Sequence, residues 1–436
     1  VSSIPNRWKL LLSESLAWPR AGRLRTEWVR SLWVVGDQAV VSLAAFLATA
    51  IVGRWCGPDE LGVYYAAVTI FWLAASIPNA LVWTPYTSRA ARLPLARRPL
   101  FAGSATLHAL AIALAMAAAL LVVGIMPWPG LDGNTWFTSM CLALAPFTVM
   151  MILREHARRI TLAHLDVDDL LAIDVPIAVV QLTLLVALAK AGALSAVTAL
   201  LAIAAACGGA IIWLARRRKR FQFKRSRAAV HWAHNQQFGR WLLFVSLMWL
   251  VGDSSYRWIV GQYHGLASLG EFAAAQNIVL CLNPLLLTVM NLTQAMSARR
   301  YADGGLAALK QLAVRTTLLL TVGFGIAFVL LAAVGGHLVE LIFGARYTGL
   351  GPVVVTLCLG MFARVLSMPI DGAMVALARG RVMLIAAVVR LVLIIGMGIV
   401  FVSWLGLEGV GYAMALSAAA GAIVQWVAFW QEARHD

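Results

Sequence analysis

Twelve apolar runs of bilayer-crossing length follow one another along the chain. They lie at 31–54, 61–83, 101–125, 135–153, 170–189, 193–214, 240–262, 271–295, 313–334, 352–376, 382–405 and 409–430. A helix rises 1.5 Å per residue, so roughly 17–25 apolar residues cross the ~30 Å hydrocarbon core. Hydrocarbon offers no partner to a free backbone N–H or C=O, so each run must close its own hydrogen bonds as a helix. The chain therefore reads as an all-α polytopic membrane protein with twelve transmembrane helices. Composition discriminates at one point: only 12% of residues are charged, against about 25% in a soluble domain. That excludes an ordinary cytosolic enzyme, a disulfide scaffold and a disordered chain.

Basic residues set the expected orientation. The chain has 35 Lys and Arg against 19 Asp and Glu, for a net charge of +16. Thirty of the basic residues are Arg, which stays charged and forks onto phosphates. Twenty-nine fall in the N-terminal segment, the alternate loops and the tail, and only Arg54, Lys190 and Arg346 in the opposite loops. Positive charge marks the cytoplasmic side, so both termini are expected there. The first 30 residues are basic and amphipathic, without a signal-peptide cleavage pattern. The stretch from Trp8 to Trp18 is expected to lie on the membrane surface.

A basic loop divides six helices from six. The expected organisation is a cytoplasmic segment at 1–30, an N-lobe at 31–215, a cytoplasmic linker at 216–239, a C-lobe at 240–430 and a cytoplasmic tail at 431–436. The halves echo each other. Gly57-Pro-Asp-Glu-Leu-Gly62 follows helix 1 and Gly265-Leu-Ala-Ser-Leu-Gly270 follows helix 7. Both copies run in the same direction, so the repeat is parallel, with its axis along the membrane normal.

Charges inside the apolar runs are the candidate functional groups. Each costs about 2.5–3.5 kcal/mol at the bilayer centre on insertion scales, so it must face a bundle interior or a wet cavity. Arg257, Arg364 and Arg390 lie in helices 7, 10 and 11. They are read as a cationic, substrate-binding cavity, because Arg pairs well with phosphate oxygens. Asp253 is four residues from Arg257, and Asp371 two turns from Arg364, so each shares a helix face with its arginine. Asp37 and Asp174 lie about two turns inside helices 1 and 5. These four aspartates are the candidates for ion coupling, with interhelical salt bridges as the plainer alternative. Arg154, Arg158 and Arg159 are expected at the exposed end of helix 4. There they serve topology or make first contact with a lipid phosphate. Pro78, Pro146, Pro176, Pro284 and Pro369 interrupt helices, either as tolerated kinks or as bending points.

Several chemistries find no support. The chain has no P-loop, HExxH or G-x-S-x-G motif. His164-Leu-Asp166-Val-Asp168-Asp169 reads as acids at a helix start rather than a metal site. Five scattered cysteines imply neither zinc nor disulfides. No metal, cofactor, catalytic residue or nucleic-acid partner is expected.

Gly36-Asp37-Gln38, the Gly57–Tyr64 turn, the Arg154-Glu155…Arg158-Arg159 segment and Asp253…Arg257…Gly261 leading to Gly270 carry a resemblance. In this order the chain resembles bacterial polysaccharide flippases of the Wzx type. These group with multidrug and toxic-compound extruders and lipid II flippases in one exporter superfamily. The resemblance implies two six-helix lobes forming a V around a central cavity, in the bacterial inner membrane. It also implies ion-coupled alternating access that moves an undecaprenyl-diphosphate-linked oligosaccharide to the periplasmic leaflet. The implied partners are that oligosaccharide, membrane lipids and a polysaccharide polymerase or export machinery. Two rivals stay open. A drug/cation antiporter of the same architecture would favour an acidic, aromatic cavity. A membrane glycosyltransferase or ligase would present catalytic acids in a large outer loop, and the longest here, 335–351, is thin for that.

Overall fold

The computed structural model describes residues 21–90, 93–126, 135–164, 166–218, 221–377 and 379–435. The surface segment expected at 8–18, together with Arg92, Lys219 and Arg220, lies outside the described residues, as does the side chain of Asp253. The described chain is helical throughout, with α1 at Ala21–Cys56, α2 at Pro58–Ala90 and α3 at Arg98–Ile125. Helices α4, α5 and α6 are Thr135–His164, Val167–Lys190 and Ala196–Arg216. Two longer stretches, Arg225–Val279 and Asn283–Phe343, are each broken by glycine. Gly265 has φ 83° and ψ −178°, and Gly305 has φ 62°. These conformations suit only a residue without Cβ. They divide the stretches into α7 at 225–264, α8 at 266–303 and α9 at 306–343. Helices α10, α11 and α12 are Gly351–Ala376, Gly380–Leu405 and Glu408–His435. The described residues so divided hold twelve helices, as the apolar runs predict.

Local chemistry sets the breaks. At the turn between α5 and α6, Gly192 takes φ 67°. Ser195 then caps α6 in a capping box with Thr198. Pro78, which lacks an N–H, is followed by a wide π turn at Asn79–Trp83. Pro284 likewise follows a tight 3-10 turn at Leu280–Leu282 inside α8. The two prolines of the repeat thus distort the two equivalent helices.

Helices α1–α6 pack with one another, as do α7–α12, giving two lobes in a V. The apolar pattern is inverted relative to a soluble protein. Leu318, Leu319, Val322, Ile326, Val329 and Leu330 on α9 are exposed, as a surface facing acyl chains requires. The lobes meet chiefly along α2 against α7 and α8. At the α1–α2 end of this seam the repeat closes on itself. Gly57 has φ 94° and ψ −178°, nearly the values of Gly265. A Cβ on Gly62 would strike the carbonyl of Leu266, and one on Gly270 the carbonyl of Pro58. Small residues let the two backbones touch. Beside them Arg54 donates to the Leu341 and Ile342 carbonyls at 2.7 and 3.1 Å, satisfying the free end of α9.

At the opposite end the linker is more ordered than a basic loop. It becomes helical from Arg225 and lies on α3. His108 donates to the Ala228 carbonyl at 3.0 Å, and His231 hydrogen-bonds Ser104 at 2.8 Å. Burial, then Arg227, His234 and Arg89, hold the His231 imidazole below its ordinary pKa.

Candidate functional site

The charges predicted from the apolar runs sort into three places. The first is sealed inside the N-lobe. Helix α4 does not stop at 153 but continues to His164, so Arg154 and Arg158 are helix-interior residues. The exposed position expected for them is corrected: both are buried, and both already hold carboxylates. Arg154 donates to Asp174 Oδ1 from Nε at 3.1 Å and from Nη2 at 2.7 Å. Arg158 donates to Asp174 Oδ2 at 2.5 Å, Asp37 Oδ2 at 2.9 Å and Glu155 Oε1 at 3.2 Å. Helices α1, α4 and α5 are thereby tied together. Asp37 is 1% exposed and Asp174 0%, so water screens these pairs little. Three carboxylates on two guanidiniums leave an excess of one negative charge when all are ionised. Arg159 is apart from this cluster, with its guanidinium 5.8 Å from the Trp83 ring.

The second place is a cavity of about 130 Å3 inside the C-lobe, lined in part by Gly252 and Tyr256 of α7, Arg364 and Ser367 of α10, Arg390 of α11 and Ser417 of α12. The structure therefore brings together two of the three predicted arginines. Arg390 reaches from the cavity to Asp371. Its Nη2 donates to Asp371 Oδ1 at 3.3 Å and to Gln425 Oε1 at 3.1 Å. Gln425 Nε2 donates to the same Asp371 oxygen at 2.7 Å. Both hydrogen bonds of Arg390 among the described residues leave from Nη2, and its buried Nε has none. Gly421 makes room for this side chain, since a Cβ there would strike Nε and Cγ of Arg390. One water takes up roughly 10–15 Å3 of such space, so the cavity has room for a group the size of a diphosphate.

The third place is the seam, where Arg257 lies behind Tyr256 rather than in the cavity lining. Arg257 donates to Tyr65 Oη of α2 at 3.0 Å and to Tyr256 Oη at 3.1 Å. Its guanidinium also lies 5.5 and 5.1 Å from those two rings. Gln276 of α8 closes the ring. It accepts from the Tyr65 hydroxyl and donates to Tyr256 Oη at 3.0 Å. One arginine thus joins the lobes and touches the residue that walls the cavity.

Reading charges alone missed Tyr65, Tyr256, Gln276, Gln425 and Gly421. Gln276 and Gln425 carried a signal, being polar amides within apolar runs. The glycine is legible only once a neighbour is known.

Residues 100–352 match the model of a family described as "Polysaccharide biosynthesis protein". That is more than half of the chain. The chain belongs to this family. The comparison with curated proteins finds no match. Among solved structures, an inward-facing multidrug resistance MATE family transporter of the MOP superfamily is similar with a TM-score of 0.72. It is 13% identical, and the match covers 92% of this chain and 98% of the transporter. The lipid II flippase MurJ, in an inward closed conformation, matches at 0.70 with 14% identity, covering 92% of this chain and 87% of the flippase. An outward-facing MATE family transporter matches at 0.56 with 13% identity, covering 93% and 94%. At such identities these likenesses show the fold, the two-lobed one of the MOP superfamily. It is a fold solved in both inward- and outward-facing forms, as alternating access requires. This polysaccharide biosynthesis family member is a multi-pass membrane protein with the fold of those transporters.

Proposed function

We propose that the protein flips a lipid-diphosphate-linked oligosaccharide, the undecaprenyl-linked kind, from the cytoplasmic to the periplasmic leaflet of the bacterial inner membrane. The observation that carries this reading is the C-lobe cavity, where Arg364 and Arg390 stand together. A diphosphate cannot shed its charge into hydrocarbon and needs such a cationic recess. Arg presents a planar fork suited to phosphate oxygens. The cavity's size fits the phosphate end of such a lipid, with the glycan lying between the lobes. In this reading both termini are cytoplasmic, and the Gly62–Gly270 contact closes the periplasmic end. Arg257 rearranges as the lobes rock, and Arg159 remains for lipid-phosphate entry. A polymerase or export machinery would take the cargo on.

Asp37, Asp174, Asp253 and Asp371 are the proposed sites of a coupling proton or sodium ion. The negative excess around Asp37 and Asp174 also favours a second reading, a drug/cation antiporter working from the N-lobe. Polyprenyl-linked glycans from a deletion strain of the native host separate the two. Build-up of one completed lipid-linked oligosaccharide, with loss of surface polymer, is the expected result. Unchanged pools with lost tolerance of cationic drugs would favour the antiporter.

A further inference from the structure

The contact between Arg390 and Asp371 joins a proposed cargo-binding residue to a carboxylate of the opposite preference. The pair is loose. Its 3.3 Å separation exceeds the 2.7–2.9 Å usual for a charge-assisted N–H···O bond. It is also divided, because Gln425 donates to the same Asp371 oxygen and accepts from the same Arg390 nitrogen. Both side chains are partly exposed, at 21% and 29%. Of the five N–H donors on a guanidinium, those on Nε and Nη1 meet no acceptor among the described residues. Asp371 is seven residues from Arg364 on α10, two turns along the same face, beyond the cavity-lining Ser367. A dianion in the cavity would therefore sit against two arginines and within reach of one opposing carboxylate.

We infer that Asp371 is a counter-carboxylate for a phosphate-bearing ligand of this cavity. It holds Arg390 in the empty site, opposes the bound anion, and takes Arg390 back when the anion leaves. The inference rests on the flippase reading above and adds how the cargo is released. A transporter's site must bind well enough to load and weakly enough to unload. Two arginines alone would hold a diphosphate too tightly. One carboxylate on the shared guanidinium lowers the affinity and supplies the partner that refills the site. Gln425 keeps that partner in place during the exchange by its own bond to Asp371.

The test uses the full-length protein in nanodiscs with inorganic pyrophosphate as the probe. Calorimetric binding is compared for the wild type, Asp371→Asn, Asp371→Glu, Arg364→Gln and Arg390→Gln, each checked by size-exclusion for folding. Removing an opposing charge coupled to the site should tighten binding about tenfold in Asp371→Asn. Asp371→Glu, which keeps the charge, should stay near the wild type, and both arginine variants should lose binding. Export should slow in Asp371→Asn although binding tightens, a split that a purely structural carboxylate would not produce. Unchanged or weaker binding in Asp371→Asn, with the arginine variants still defective, overturns the inference and leaves the flippase reading standing. Pyrophosphate binding absent from every protein, Asp371→Asn included, overturns both.

Discussion

In the N-lobe, Arg154 and Arg158 meet three carboxylates at 2.5–3.2 Å, and every partner is buried. In the C-lobe, Arg390 meets one carboxylate at 3.3 Å with both side chains partly exposed, beside a cavity that also holds Arg364. The two regions lie in lobes that echo each other and carry the same residue types, yet they differ in sign, tightness and access. A tight, closed cluster returns its electrostatic gain to the fold, because each buried ion needs its partner to offset desolvation. A loose pair at a cavity leaves part of its charge for something that enters. The N-lobe cluster fixes three helices and leaves its excess negative charge only to a small cation, whereas the C-lobe pair is open to exchange with an anion.

The largest effect expected from this contrast is structural. Asp174→Ala removes the carboxylate shared by Arg154 and Arg158 and leaves the buried Arg154 without its carboxylate partner, at a cost of about 3–5 kcal/mol. Thermal unfolding in detergent, read by size-exclusion, should show most of the protein lost. Arg364→Ala should do the reverse, leaving the melting profile near wild type while export fails, seen as accumulated lipid-linked oligosaccharide. Should Asp174→Ala stay stable, or Arg364→Ala unfold, the division between the lobes is broken.

Gly421→Ala sharpens the C-lobe half. The added methyl displaces Arg390, and overpacking of this kind costs about 1–3 kcal/mol. A moderate drop in both stability and export is expected, measured on the same preparations. The smallest effect belongs to Arg217→Ala, which removes the pair with Asp169 near the end of the N-lobe. The Arg217 side chain is 45% exposed, so the loss should stay within about 0–1 kcal/mol and leave export unchanged.

Much of the fold was legible because the bilayer imposes it. Run length gave twelve helices, and the likeness of Gly265 to Gly57 marked the boundary between α7 and α8, where the backbone turns sharply at φ 83°. The end of α4 was not legible. Arg154, Glu155, Arg158 and Arg159 look like a surface loop, and only the carboxylates of α1 and α5 explain why charge continues into the lobe. The candidate site was half legible. Unlike Gly421, a lone Arg in an apolar run announces itself through its insertion cost. Which arginines share a cavity depends on helix rotation and packing, so Arg257 could not be separated in advance from Arg364 and Arg390.

Transbilayer movement in proteoliposomes tests the central claim most directly. The lipid-linked oligosaccharide pool of the native host is reconstituted with purified protein, and the fraction open to an impermeant periodate oxidation is followed over time. Flipping should make the shielded glycan reactive with wild-type protein and not with Arg364→Ala. Wild-type protein that leaves the shielded pool untouched, while carrying a cationic dye across the same membrane, would contradict the account.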